Sequence, residues 1–130
     1  MKAKLFILLT ALLMTMLSGC VQASVGLSRN ADENKFVLEF QILNTAEYHT
    51  FELAAGDEIE AEITRESGDI SLTVQKGKDV PVYEGAKPLS GKFRIRITDD
   101  GAYRVTVTGN GAKGSAEFRI IRSERKEGEE

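Results

Sequence analysis

The sequence of 130 residues predicts an all-β fold: an antiparallel, jelly-roll-like β-sandwich of about eight short strands that follows an N-terminal helical signal segment. From residue 35 onward, apolar residues alternate with polar ones, which is the pattern of a strand with one buried and one wet face. Glycine, asparagine and aspartate interrupt this alternation and supply the backbone conformations that tight turns need. No stretch of this part has the period of a helix, so these short strands indicate an antiparallel sandwich or barrel.

Eight alternating segments are the predicted strands, and the first shows the pattern most clearly. Phe36, Leu38 and Phe40 fall on one face of it. The fifth contains Pro81, which has no amide donor, so we expect an edge or irregular strand there. In chain order the predicted strands are 36–42, 47–53, 58–63, 70–75, 80–83, 92–97, 103–108 and 116–120. The predicted turns between them are 56–57, 67–69, 77–79, 99–101 and a hairpin at 109–114.

The N-terminus has the three parts of an export signal. Lys2 and Lys4 give a positive start, and the segment 5–17 is apolar apart from two threonines. That segment is shorter than the roughly 20 residues of a stable transmembrane helix, so we expect its removal with the signal. The residues Leu17-Ser18-Gly19-Cys20 resemble the bacterial lipobox. This resemblance implies a diacylglyceryl thioether on Cys20, with palmitate among the expected acyl chains, that anchors the protein in the membrane.

Two alternatives to the lipobox are an ordinary secretory signal with an incidental cysteine and a short uncleaved anchor. Cys20 is the only cysteine in the chain. An odd cysteine in an exported protein needs an explanation, and lipidation supplies one. We therefore expect the protein on the extracytoplasmic face of a bacterial membrane.

Four regions follow from these patterns: a signal peptide at 1–19, the lipidated cysteine with a flexible tether at 20–34, a β-sandwich domain at 35–122 and a charged, disordered tail at 123–130. Residues 20–130 hold 15 basic and 20 acidic residues, so their formal net charge is −5. Without a basic surplus to displace counterions from phosphates, nucleic acid is not an expected partner.

Two stretches of the predicted domain carry a family resemblance. Phe51-Glu52-Leu53-Ala54-Ala55-Gly56-Asp57, followed by Ile59, and Gly101-Ala102-Tyr103-Arg104-Val105-Thr106-Val107 resemble the corresponding strands of prepeptidase C-terminal and GOLD domains. These families are small jelly-roll sandwiches. The resemblance implies a non-catalytic accessory domain that binds a polymer, a protein or a lipid, and neither motif includes a ligand-binding residue.

Few residues suggest catalysis or metal binding. His49 is the only histidine, and no serine lies in a nucleophile-elbow sequence, so a structural or surface role is expected for it. The usual zinc sets are excluded by the same counts. Asp99 and Asp100 are weak calcium candidates, because aspartate is also a common turn residue. No catalytic residue and no cofactor are predicted.

Two rows of charge follow the alternation. Glu58, Glu60 and Glu62 share one strand face, and a basic row of Lys92, Arg94 and Arg96 shares another. If the two strands are antiparallel neighbours, the rows form cross-strand ion pairs. If they are not, the basic row together with Arg104 is available to an anionic envelope polymer or to lipid headgroups.

The function expected from the sequence is that of a lipid-anchored, non-catalytic binding module for cell-wall polymer or an envelope protein. A second possibility is a structural or accessory subunit whose sheet edge docks a larger transporter or enzyme. It predicts an exposed apolar patch or an unprotected edge strand, with the region beside Pro81 as the candidate. A third is a small secreted hydrolase, which requires His49 or two carboxylates to meet in a pocket.

Overall fold

A computed structural model describes residues 24–85 and 90–123, and these form an antiparallel sheet of seven strands. The predicted all-β class is confirmed. The predicted signal helix at 1–19, Cys20 and the residues of the charged tail after Ser123 lie outside the described residues. No helix of the described ranges is long and apolar enough to span a membrane. The strands are β1 (Ser28–Ala31), β2 (Lys35–Leu43), β3 (Ala46–Leu53), β4 (Glu58–Lys76), β5 (Tyr83–Gly85), β6 (Gly91–Arg96) and β7 (Gly101–Ile121).

Two long strands, β4 and β7, organise the fold. They pair antiparallel from Glu58 opposite Ile121 to Lys76 opposite Tyr103. One half of this pair carries β2 with β1 on the β7 side and β6 on the β4 side, and we call this the first half-sheet. The other half carries β3 beside β7 and β5 beside β4, and we call this the second half-sheet. The inner faces of both half-sheets contribute to one hydrophobic core. The continuous sheet therefore folds over on itself to form a sandwich.

A corner joins the two half-sheets where the pairing of β4 with β7 is irregular. The register shifts between Arg65 and Ser67 and again between Ser67 and Asp69. As a result the buried positions of β4 change parity, from Ile63 before the corner to Ile70 after it. Bulges of this kind bend a strand without ending it.

Three sequence predictions need correction here. The turn predicted at 67–69 and the hairpin predicted at 109–114 are wrong, because both segments continue through the corner within β4 and β7. Four predicted short strands are therefore two long ones. The tether predicted at 20–34 is too long, since Ser28–Ala31 pairs with β2 and Val25 forms a bridge to Ile42. The turns predicted at 56–57, 77–79 and 99–101 do separate strands, and β5 is a short edge strand beside Pro81.

The core is apolar and closed on two sides by aromatic contacts between the half-sheets. Phe36 of β2 lies 5.5 Å from the ring of His49 on β3, and Tyr83 of β5 stacks 5.0 Å from Phe93 of β6, measured between ring centroids. Asp57 is the one buried charged side chain of the described residues. The buried apolar side chains are Phe36, Leu38, Phe40, Leu43, Phe51, Leu53, Ile59, Ala61, Ile63, Ile70, Leu72, Val74, Ile95, Ile97, Tyr103, Val105, Val107, Ala112, Ala116 and Phe118.

Candidate functional site

The predicted basic row lies directly beside the glutamate row. In the pairing of β4 with β6, Glu58 stands opposite Arg96, Glu60 opposite Arg94 and Glu62 opposite Lys92. Of the two arrangements expected from the sequence, the chain therefore adopts the one in which the rows are neighbours on the outer face of the first half-sheet.

Glu60 is the centre of this ion-pair network. Lys92 Nζ lies 3.3 Å from it and an Arg94 nitrogen 3.2 Å, while Arg94 also reaches Glu58 at 3.6 Å. Hydrogen bonding and charge from Lys92, helped by Arg94, hold the pKa of Glu60 below its usual value of 4.5. Two of the three basic side chains are thus neutralised by neighbours, and such exposed pairs add little stability.

Arg104 lies elsewhere, on the outer face of the second half-sheet. It pairs in register with Thr50 of β3 and with Gln75 of β4. Its guanidinium carbon stacks over the Tyr48 ring at 4.6 Å from the centroid, and Tyr48 is 52% exposed. No carboxylate of a described residue comes within 4.0 Å of this guanidinium. A planar cation held on an aromatic face keeps N–H groups free for an acceptor.

A surface cavity adjoins Arg104, with a volume of about 380 Å³. The turn between β4 and β5 brings Lys78 to it, and Lys78 also makes no ion pair within the described part of the chain. The remaining lining residues are Thr50, Gly77 and Ala102. We call this the Arg104 pocket: two cations, one hydroxyl and small residues that leave room for a ligand group.

The other predicted site residues have structural roles. His49 Nε2 is 2.8 Å from the main-chain oxygen of Asp32, and its ring packs against those of Phe36 and Phe51. Among the described residues, no serine or aspartate side chain forms a hydrogen bond with the His49 ring. The weak calcium candidates are engaged differently, because Asp100 Oδ1 accepts the Ala55 amide at 2.8 Å and the main-chain oxygen of Asp99 accepts the Tyr103 hydroxyl at 2.6 Å. Within residues 24–85 and 90–123, no group of three potential ligands is arranged for a metal ion.

Sequence reasoning missed Lys78 and a second surface feature around Glu39. Lys78 lies in a predicted turn, and its position over the Arg104 strand depends on how that turn folds back. Glu39 has the signature of an ordinary wet strand position. The neighbours of Lys78 and Glu39 on adjacent strands and turns become known only from the three-dimensional fold.

Comparisons with known proteins found a structural similarity and no family match. No family model matches the chain, and no curated protein matches it. Among solved structures, the chain is similar to PliG of Aeromonas hydrophila, described as a periplasmic lysozyme inhibitor of g-type lysozyme. The identity is 18%, the match covers 78% of this chain and 93% of that chain, and the TM-score is 0.46. At this level of similarity, the function has to be inferred from this chain's own residues.

Proposed function

We propose that the protein is a lipid-anchored, extracytoplasmic and non-catalytic module that binds an anionic group of a cell-wall polymer in the Arg104 pocket. The observation that supports this most directly is the pairing state of the cations. Lys92 and Arg94 are already bound to glutamates, whereas Arg104 and Lys78 line a cavity without a carboxylate partner. A phosphate or carboxylate would find two charged donors and the Thr50 hydroxyl there.

The overall charge shapes how such binding would work. With a net charge of −5 over residues 20–130, the domain as a whole repels a polyanion at long range. Attraction is therefore confined to contact distance, where the Arg104 guanidinium is held in place by Tyr48. This favours recognition of a repeated small anionic group over steering of a whole polymer.

The expected anchor would hold the domain near a membrane. Ser24 is the first described residue, and it follows Cys20 by four positions. Four extended residues span at most roughly 14 Å, so a lipid on Cys20 would hold the sandwich close to the bilayer surface. The ligand of a module held this way is expected in the membrane-proximal part of the envelope.

Replacing Cys20 with serine should release the protein from the membrane. Serine offers no thiol for the thioether, so the lipid that holds the chain would be absent. We expect wild-type protein in the detergent phase of a Triton X-114 partition and Cys20→Ser protein in the aqueous phase. Equal partition of both proteins with the detergent would contradict the lipid anchor and favour an uncleaved anchor.

Replacing Arg104 with glutamine should weaken binding to purified cell-wall polymer by at least roughly tenfold, the equivalent of one charge-assisted hydrogen bond. The measurement is cosedimentation of the full-length protein, in detergent micelles, with the insoluble polymer. Arg94→Gln is the matched control, because it removes the same charge from an exposed strand position that is already ion-paired. It should bind like wild type.

Two results would count against this function. Equal losses in Arg104→Gln and Arg94→Gln would mean that total charge, and not the pocket, governs binding. No binding by the wild type would favour the accessory-subunit alternative. In that case the surface to test is beside β5, where Val80 is 85% and Val82 is 46% exposed around Pro81.

A further inference from the structure

A groove crosses the outer face of the first half-sheet next to the corner, with a volume of about 310 Å³. Its floor is a row of four side chains in register across four strands. Ser28 of β1 stands opposite Glu39 of β2, Glu39 opposite Ser115 of β7, and Ser115 opposite Thr64 of β4. Three hydroxyl groups thus flank one carboxylate in a line. The remaining lining residues are Gly26, Phe40, Gln41, Glu66, Lys113 and Gly114.

Glu39 carries the uncompensated charge of this groove. Its carboxylate has no hydrogen bond and no ion pair within 4.0 Å among the described residues. The cation of the groove, Lys113, is bound to Glu66 at 3.3 Å. Arg29, on the neighbouring strand, pairs with Glu47 and stacks over the Phe36 ring, so it does not compensate Glu39 either.

A further carboxylate lies one residue row away from the groove, outside its lining. Glu62 occupies the outward position of β4 just before Thr64, and it also has no ion pair in the described part of the chain. The groove therefore presents an excess of negative charge together with hydroxyl and amide acceptors. Charge complementarity favours a cation with several hydrogen-bond donors as its occupant.

The lining distinguishes among cationic and polar ligands. A metal ion would need a cluster of ligating side chains, and none is present in residues 24–85 and 90–123. A sugar ring generally uses an exposed aromatic platform, and the one aromatic residue of the groove, Phe40, is only 3% exposed. A volume near the lower end of the roughly 300–1,000 Å³ typical of ligand sites suits one protruding side chain.

We propose that this groove receives an arginine side chain of a protein partner, with Glu39 as the paired carboxylate. A guanidinium carries five donors in one plane and pairs with a carboxylate through two parallel hydrogen bonds. Its remaining N–H groups can reach the hydroxyls of Ser28 and Ser115 on either side of Glu39. A lysine ammonium presents three donors around a point and cannot match a flat row in the same way.

The test is an NMR titration of the full-length, isotope-labelled protein in detergent micelles with three peptides. The probes are acetyl-Gly-Arg-Gly-amide, the corresponding lysine peptide and the corresponding citrulline peptide, which keeps the shape of arginine without its charge. We expect the arginine peptide to shift the amide signals of Glu39, Thr64 and Ser115, and to bind several-fold more tightly than the lysine peptide. The citrulline peptide should bind at least tenfold more weakly.

Glu39→Gln should weaken binding of the arginine peptide at least tenfold, while Glu84→Gln should leave it unchanged. Glu84→Gln is the matched control because Glu84 is an exposed strand glutamate of β5, on the other half-sheet. The proposal is overturned if the arginine peptide causes no shifts at the groove, if citrulline binds as well as arginine, or if the two variants behave alike. Arg104→Gln should not change this titration, so the groove and the Arg104 pocket are tested separately.

Discussion

Replacing Gly114 with alanine should lower the free energy of unfolding by about 3 to 4 kcal/mol, which is the sum expected for a strained backbone and an overpacked contact. Gly114 lies in β7 at the corner, with φ at +150°, a value that side chains rarely tolerate. A Cβ atom there would lie much closer to the Thr64 carbonyl oxygen of β4 than van der Waals contact allows. The neighbour is backbone and cannot rotate away, so the two long strands would have to separate.

The unfolding midpoint in urea, followed by far-ultraviolet circular dichroism, measures this loss. Gly111→Ala is the matched control in the same strand, because its φ is +60° but nothing lies within 4 Å of the added Cβ. It carries the backbone strain alone and should cost about 1 kcal/mol. If the two variants were equally stable, the close approach of β4 and β7 would not be what requires glycine at position 114.

The corner explains why the turns predicted at 67–69 and 109–114 were wrong. Gly68 and Gly111 both adopt positive φ, as expected from the turn signals at 67–69 and 109–114. The same conformation also serves a bulge inside a continuous strand, and a single sequence does not distinguish the two uses. The alternation itself was informative, since it identified the buried residues of β4 on both sides of the corner. Its change of parity between Ile63 and Ile70 fits a bend as well as a turn.

For the candidate sites, the sequence periodicity predicts which side chains point outward but not which of them are ion-paired. Alternation placed Lys92, Arg94 and Arg104 on outward faces, and the structure agrees. Whether an outward cation is paired depends on which strand lies beside it and in which register, and both are set by contacts distant in sequence. Glu60 neutralises Arg94, although the two residues lie 34 positions apart. The Glu39 row spans four strands and becomes visible only once their order is known.

Replacing Asp57 with alanine should destabilise the fold by about 3 kcal/mol, because it removes a buried carboxylate that accepts several hydrogen bonds. Asp57 is 3% exposed. It accepts the Ala54 amide at 2.9 Å, the Ser123 amide at 2.9 Å and an Arg122 N–H at 3.2 Å. Arg122 also donates to the main-chain oxygens of Glu52 and Glu33, so this carboxylate helps to join the end of the last strand to three earlier segments.

The destabilisation should depend on pH in a defined direction. Burial alone would raise the pKa of Asp57, but hydrogen bonds from the Ala54 and Ser123 amides and from Arg122 outweigh it, and the pKa lies below the ordinary value of 3.8. A lowered pKa in the folded state gives stability that is complete above the unfolded value of 3.8 and is lost as the pH falls through the folded value. The gap between wild type and Asp57→Asn should therefore be constant from pH 7 to about pH 5 and shrink below pH 4.

Urea unfolding at pH 7, 5, 3.5 and 2.5 measures how much of the destabilisation in Asp57→Asn comes from losing the negative charge of the carboxylate. Asp100→Asn is the control, because Asp100 accepts a single amide, that of Ala55, at an exposed position. We expect it to cost well under about 1 kcal/mol, because asparagine keeps a side-chain oxygen that can accept the Ala55 amide. A gap between wild type and Asp57→Asn that stays the same at pH 2.5 would mean that the ionised carboxylate stabilises the fold no more than the neutral carboxyl group does. A gap that closes would show that the negative charge holds Arg122 and the chain end, since protonation removes this charge and turns one acceptor oxygen into a donor.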